Sequence, residues 1–202
     1  MPSNLLSQIA TLVNTIPKTN DAVAGGSVSQ GTGAADYPSQ LGSRIVLGND
    51  DVQIKNQSTL FGGWYQYVQM YSSVTSTPAV GLIAFWQTDT SYVVTTDEPT
   101  AVSDIAGVIV SAVTKGNYGW IQCKGKVNVA FRATITKATP IIGDLVLCAA
   151  AGAGADNAKA DVLADATNLT SVQARHILGI AVTAPVSGTS TPVRLTFGRD
   201  NY

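Results

Sequence analysis

His176 is the only histidine of the chain, and it stands directly before the apolar run Ile177-Leu-Gly-Ile-Ala-Val182. No Ser, Cys or carboxylate lies around it at a spacing used for nucleophilic or general acid–base catalysis, so its context predicts a structural residue. Cys123 and Cys148 sit in apolar, strand-like runs with no CxxC partner and no neighbouring histidine. Buried free thiols follow from that setting, and a disulfide between neighbouring strands is the alternative. Metal binding needs clustered His, Cys or carboxylate ligands, which the spacing does not supply. Asn49-Asp50-Asp51 lacks the alternating oxygens and terminal Glu of a calcium loop and reads as a polar turn. Gly152 and Gly154 lie in an alanine-rich stretch without the spacing that cradles phosphates. Glu98, Asp104 and Asp144 are scattered turn acids that no pattern joins into a glycosidase pair. Asn56-Gln-Ser58 and Asn168-Leu-Thr170 match glycosylation sequons by chance, since the N-terminus lacks the basic start and apolar run of a secretion signal. The expectation is a protein that is not an enzyme, with no catalytic residue, no cofactor and no metal.

What the residues do carry is a repeat. Ile105-Ala-Gly-Val-Ile-Val-Ser-Ala-Val113 returns as Ile177-Leu-Gly-Ile-Ala-Val-Thr-Ala-Pro185, an offset of 72 that holds onward to place Gly116 on Gly188, Ile121 on Val193 and Cys123 on Leu195. Each copy reads as an apolar strand broken by one glycine, a Gly-containing turn and a second strand of alternating character. Two copies are too few for a solenoid. They predict duplicated β-hairpins, at about 105–123 and 177–195, in one small β-domain.

The other elements follow from periodicity. Leu5, Ile9, Leu12, Val13 and Ile16 share a helical face over residues 3–16, with Ser3 or Asn4 as cap and Pro17 as stop. So short a helix must dock, either on its own barrel or on another chain. Lys18 to Ser43 is rich in Gly, Ser, Ala, Asn and Gln and predicts an extended arm or a linker, which favours the second choice. Strands are expected at Arg44–Leu47, across the aromatic cluster of Phe61, Trp64, Tyr65, Tyr67 and Tyr71, and at 81–86 and 92–96, with Trp64, Val68 and Met70 on one face. A long strand follows in which Ile121, Cys123, Val127, Val129 and Phe131 face one way and Trp120, Gln122, Lys124, Lys126 and Asn128 the other. Leu145–Cys148 is another strand, and a long loop runs from 149 to about 171. Trp120, on the polar face beside Lys124 and Lys126, either packs over a neighbouring strand or meets a partner. The fold class expected is mainly β, a small barrel- or sandwich-like domain over 44–202 preceded by a helix and extended arm over 1–43.

Charged residues make up 12% of the 202, about half of the usual share, and nearly cancel to a net charge of −1. Such a surface is poor for a solitary soluble domain, which points to a symmetric homo-oligomer. No basic excess exists for a row of phosphates, so nucleic acid is not an expected partner, and no stretch approaches the roughly 20 apolar residues of a membrane span.

The order Ile105-Ala-Gly-Val108, Gly116-Asn-Tyr-Gly-Trp-Ile-Gln-Cys-Lys-Gly125, Pro140-Ile-Ile-Gly-Asp-Leu-Val146 and Leu178-Gly-Ile-Ala-Val182 resembles the capsid decoration, or cement, proteins of tailed bacteriophages over about residues 100–197. That resemblance implies a compact β-barrel-like domain, often trimeric, that binds the major capsid protein on the outer surface of an assembled shell and reinforces the seams between capsomers. It also implies a virion location after assembly in the host cytoplasm. Leu5, Ile9, Leu12, Val13, Ile16, Trp120, Lys124 and Lys126 are the expected capsid or subunit contacts. The helix over 3–16 and the aromatic block from Phe61 to Tyr71 depart from the smallest members, and another virion part, such as a tail, head-fibre or minor capsid subunit, is the alternative. An enzyme or carbohydrate-binding β-module on a sandwich is the third reading.

Overall fold

The computed structural model describes residues 41–42, 44–47, 61–88, 91–97, 105–110, 113–149, 157–164 and 176–196. The expected helix over 3–16, with Leu5, Ile9, Leu12, Val13 and Ile16, and nearly all of the expected arm lie outside these residues. The described part is ten strands and no helix, so the mainly β expectation holds. The strands are β1 (Arg44–Leu47), β2 (Gly63–Met70), β3 (Ile83–Thr88), β4 (Val93–Thr95), β5 (Ile105–Ile109), β6 (Tyr118–Ala130), β7 (Leu145–Cys148), β8 (Ala160–Val162), β9 (Ile177–Ala181) and β10 (Ser190–Leu195).

They form one sheet in the order β1-β2-β4-β3-β5-β6-β10-β9-β7-β8, and an additional β2–β6 pairing closes β2, β4, β3, β5 and β6 into a ring. Beyond Gly125, β6 leaves β2 and pairs with β10 down to Ala130↔Ser190. A parallel bridge between Phe131 and Ala160 then brings β8 back to the end of β6. A second ring therefore follows the first, made of the last half of β6 with β10, β9, β7 and β8, and the two rings share one continuous strand.

The rings are copies of each other, strand for strand. Val108↔Gln122 and Ile109↔Ile121 in the first match Ile180↔Arg194 and Ala181↔Val193 in the second, an offset of 72 on both strands. The β3/β5 ladder slips one residue after Ala84↔Gly107, and the β7/β9 ladder slips at the corresponding point after Val146↔Gly179. Phe85↔Thr95 corresponds to Leu147↔Asp161 and Trp86↔Val94 to Cys148↔Ala160. The parallel contact Met70↔Val94 corresponds to Phe131↔Ala160, with Met70 and Phe131 offset by 61. Even the non-glycine residues with positive φ match, Tyr92 at 53° and Ala158 at 59°. The repeat thus spans a five-stranded unit, wider than the hairpin from which it was read.

Burial explains why both copies fold. Gln66, Val68 and Met70 are buried on β2, and Val127 and Val129 of β6 and Phe131 just past its end are buried at the matching positions. The alternation survives although not one apolar residue but Val68/Val129 is kept, because the pleat sends every second side chain inward. A shift in the β2–β6 register between Trp64 and Tyr65 breaks that alternation on the edge side. Trp64 is consequently exposed, and does not share the buried face of Val68 and Met70 as expected.

Two glycine sites show backbone demand. A Cβ on Gly107 would lie 2.7 Å from the carbonyl oxygen of Gln122, and one on Gly179 would overlap the carbonyl oxygen of Arg194, the equivalent residue. The glycine common to both copies is therefore required by close strand approach. Gly125, where β6 passes from one ring to the other, has φ of +100° and would carry a Cβ into the Gly62 carbonyl. Gln122 holds that point by donating from Nε2 to the carbonyl oxygens of Lys124 at 3.1 Å and Lys126 at 2.9 Å.

Carboxylates at or just after the third strand of each unit tie it to the segment that precedes the second strand. Asp97 accepts from the Thr75 and Ser76 amides and hydroxyls. Asp161 accepts from the Thr136 amide and hydroxyl and pairs with Arg132 at 3.1 Å. The strand β8 that carries Asp161 corrects the expectation of an unbroken loop from 149 to 171: Ala160-Asp161-Val162 pairs on β7 because the repeat requires a strand there.

Candidate interaction surface

The residues with catalytic chemistry are dispersed. Among the described residues no three His, Cys, Asp or Glu side chains come together. His176 is buried with its ring edge-on to Phe85, centroids 6.1 Å apart, and burial lowers its pKa. Cys123 and Cys148 are both free thiols, so the disulfide alternative is set aside. Burial pushes the Cys123 thiol up to about 12, which leaves it protonated and unreactive.

Trp120 is 2% exposed and lies tilted against Tyr67, ring centroids 5.2 Å apart. Of its two readings the structure takes packing, and the ring is not a surface contact. The cause is its position. The first half of β6 is hydrogen-bonded to β2 on one edge and to β5 on the other, and from Gly119 to Gln122 it is buried on both faces.

Lys124 and Lys126 do reach the surface, and each is positioned by an aromatic ring. The Lys124 ammonium lies 5.0 Å from the centre of the Trp64 ring, opposite it in the ladder, and that of Lys126 lies 4.1 Å from the centre of Phe61. Such cation–π contacts are worth about 0.5–1 kcal/mol at exposed sites. Trp64 stays 39% exposed. Beyond Gly125 the same strand continues the surface sideways: Lys126 stands opposite Arg194 on β10, and Arg194 stands opposite Ile180 on β9. Arg194 is exposed and Ile180 is 38% exposed.

Lys126 opposite Arg194 is an unfavourable choice for the fold alone. Directly opposed side chains on antiparallel strands have Cβ atoms about 4.5–5.5 Å apart, and like charges there cost about 0.5 kcal/mol. The equivalent pair in the first ring is Tyr65↔Gln122, flanked by Val108 where the second has Ile180. Val108, Gln122 and Tyr65 are all 0% exposed. One row of the unit is thus a buried apolar–amide–phenol row in one copy, and in the other an apolar–cation–cation row in which Ile180 and Arg194 are exposed and Lys126 is partly buried.

Trp64, Phe61, Ile180 and Arg194 were missed as surface contacts by sequence reasoning. A signal existed for two of them: the offset of 72 lays Arg194 on Gln122 and Ile180 on Val108, so a charge replaces a neutral amide at a matched position.

No family model matches the chain, and no curated protein does. Among solved structures, the chain is similar to the N base of head fiber gp8.5 in bacteriophage phi29, at 16% sequence identity and a TM-score of 0.41, over 65% of this chain and 92% of that one. Similarity at that level establishes neither a family nor a residue correspondence.

Proposed function

We propose that the chain is a structural protein of a tailed-phage virion that binds the outer surface of the assembled capsid through its major capsid protein and stabilises contacts between capsomers, without catalysis. The observation that carries this reading is the second ring's exposed row. A rigid β-scaffold there presents Arg194, Ile180 and the partly buried Lys126, with the half-exposed Trp64 of β2 beside them, which is the composition of a binding face. The sequence resemblance to decoration proteins, which spans both hairpins, adds the partner. A homotrimer is part of the proposal, on the ground of low charge density.

A ligand selective for one state stabilises that state by mass action. A protein that fits only the correctly spaced seam must therefore raise the temperature at which shells rupture. The test strips shells of this protein, adds it back and compares their heat and osmotic stability. The expected result is preferential binding to expanded shells over free capsid subunits, with restored stability, and His176→Ala leaving both intact. Equal stability with and without bound protein would sink the cement reading and favour a fibre or tail part.

A further inference from the structure

We infer that the Lys126–Arg194–Ile180 row, with the Trp64–Lys124 pair beside it, docks a carboxylate-bearing protein face, a partner Asp or Glu seating between Lys126 and Arg194. The inference rests on the capsid-binding reading and adds the chemistry that the capsid face presents.

Three observations carry it. Lys126 and Arg194 are directly opposed, and the repeat shows that the fold accepts a neutral pair at the same two backbone positions, Tyr65 and Gln122. The charges are therefore an addition that an anion between them would relieve. The carboxylates among the described residues are all engaged elsewhere, Asp97 by Thr75 and Ser76, Asp144 by Lys137 at 2.5 Å and Asp161 by Arg132. None of them serves this row. Finally, the flat guanidinium of Arg194 offers paired donors that match a carboxylate, and Ile180 beside it supplies apolar contact. A nucleic acid would need open aromatic faces for stacking, whereas the Trp64 ring already carries the Lys124 ammonium.

Calorimetric titration of the full chain with an oligoglutamate peptide, and in parallel with single-stranded oligonucleotide, tests this. Oligoglutamate should bind, more weakly as salt rises. Lys126→Thr and Arg194→Thr should each weaken it about tenfold, as loss of one charge-assisted hydrogen bond does. Neither substitution should lower the melting temperature, because each removes a repulsion and places a good strand former. Absence of oligoglutamate binding, tighter binding of the oligonucleotide, or a fall in melting temperature with binding unchanged overturns the inference. If oligoglutamate binds but stripped shells do not, the capsid reading fails and the surface stands. If both variants bind shells as the parent does, the surface fails and the capsid reading stands.

Discussion

The two rings give one backbone row two opposite fates. Val108, Gln122 and Tyr65 are sealed in the first, while Ile180, Arg194 and Lys126 meet solvent in the second at equivalent ladder positions. What differs is cover, not register. A duplicated unit keeps its inward face because both rings need a core, and its outward face is free to diverge once one copy is shielded and the other is not. The lesson is that a polar substitution on the outward face of a repeat marks the copy whose face is left uncovered.

The comparison breaks if matched substitutions cost the same in both rings. Tyr65→Ala should cost about 3–5 kcal/mol in chemical denaturation, the usual price of emptying an aromatic core site. Lys126→Ala at the equivalent position should stay within about 0.5 kcal/mol, since a lost cation–π contact and a relieved repulsion offset each other. Trp120→Ala, in the covered part of β6 that pairs with β2, belongs with Tyr65→Ala. Comparable losses at Tyr65 and Lys126 would show that the second row is covered too.

A second pair should behave alike instead. Gly107→Ala and Gly179→Ala each push a methyl group into a carbonyl oxygen of the facing strand and should each cost about 1–3 kcal/mol. Equal shifts in denaturation midpoint sharpen the equivalence of the rings; a loss at only one of them would show that one ladder adjusts where the other cannot.

The smallest effect concerns acid. Desolvation works against the Asp97 carboxylate, but the hydrogen bonds from Thr75 and Ser76 outweigh it and lower its pKa below the ordinary 3.8. A lowered folded pKa means that the unfolded chain binds the proton more readily, so this stabilisation is complete above pH 3.8 and fades as pH falls through the folded value. His176 acts in the same direction at higher pH, because its folded pKa is depressed below 6.5 and protonation favours the unfolded chain. Asp97→Asn should therefore destabilise at neutral pH and lose its effect in strong acid, read by melting at a series of pH values.

The hairpins were legible because their letters persist: Ile105-Ala-Gly-Val and Ile177-Leu-Gly-Ile still align, and the glycine is held by a clash that any side chain would cause. The rest of the unit was hidden for two physical reasons. Lengthening of connections moves the offset from 61 at Met70/Phe131 to 72 at Ile109/Ala181, so no single alignment spans the copies. The strand positions also demand only burial, and Gln66 and Val127 satisfy the same site. β8 escaped notice because Ala160-Asp161-Val162 has too little β-forming character to stand out from its polar surroundings. Trp120 was placed on a polar face by simple alternation, which does not register that β6 is flanked by strands on both edges. Of the surface, Lys124 and Lys126 were readable, and their aromatic supports were not, because Trp64 arrives from β2 and Phe61 from the residues just before it.

The strand shared by the rings has a mechanical meaning. β6 runs 13 residues without a break, about 43 Å at a typical strand rise, from the ladder of one ring into that of the next. There is no swinging joint between the two bodies. A pull applied to one is passed to the other along covalent backbone, and resisted by hydrogen bonds loaded in shear along the strand instead of peeled one at a time. The Trp64 and Ile180 ends of the surface are therefore joined through β6 and the ladders on either side of it, and a displacement of one end is resisted by both rings.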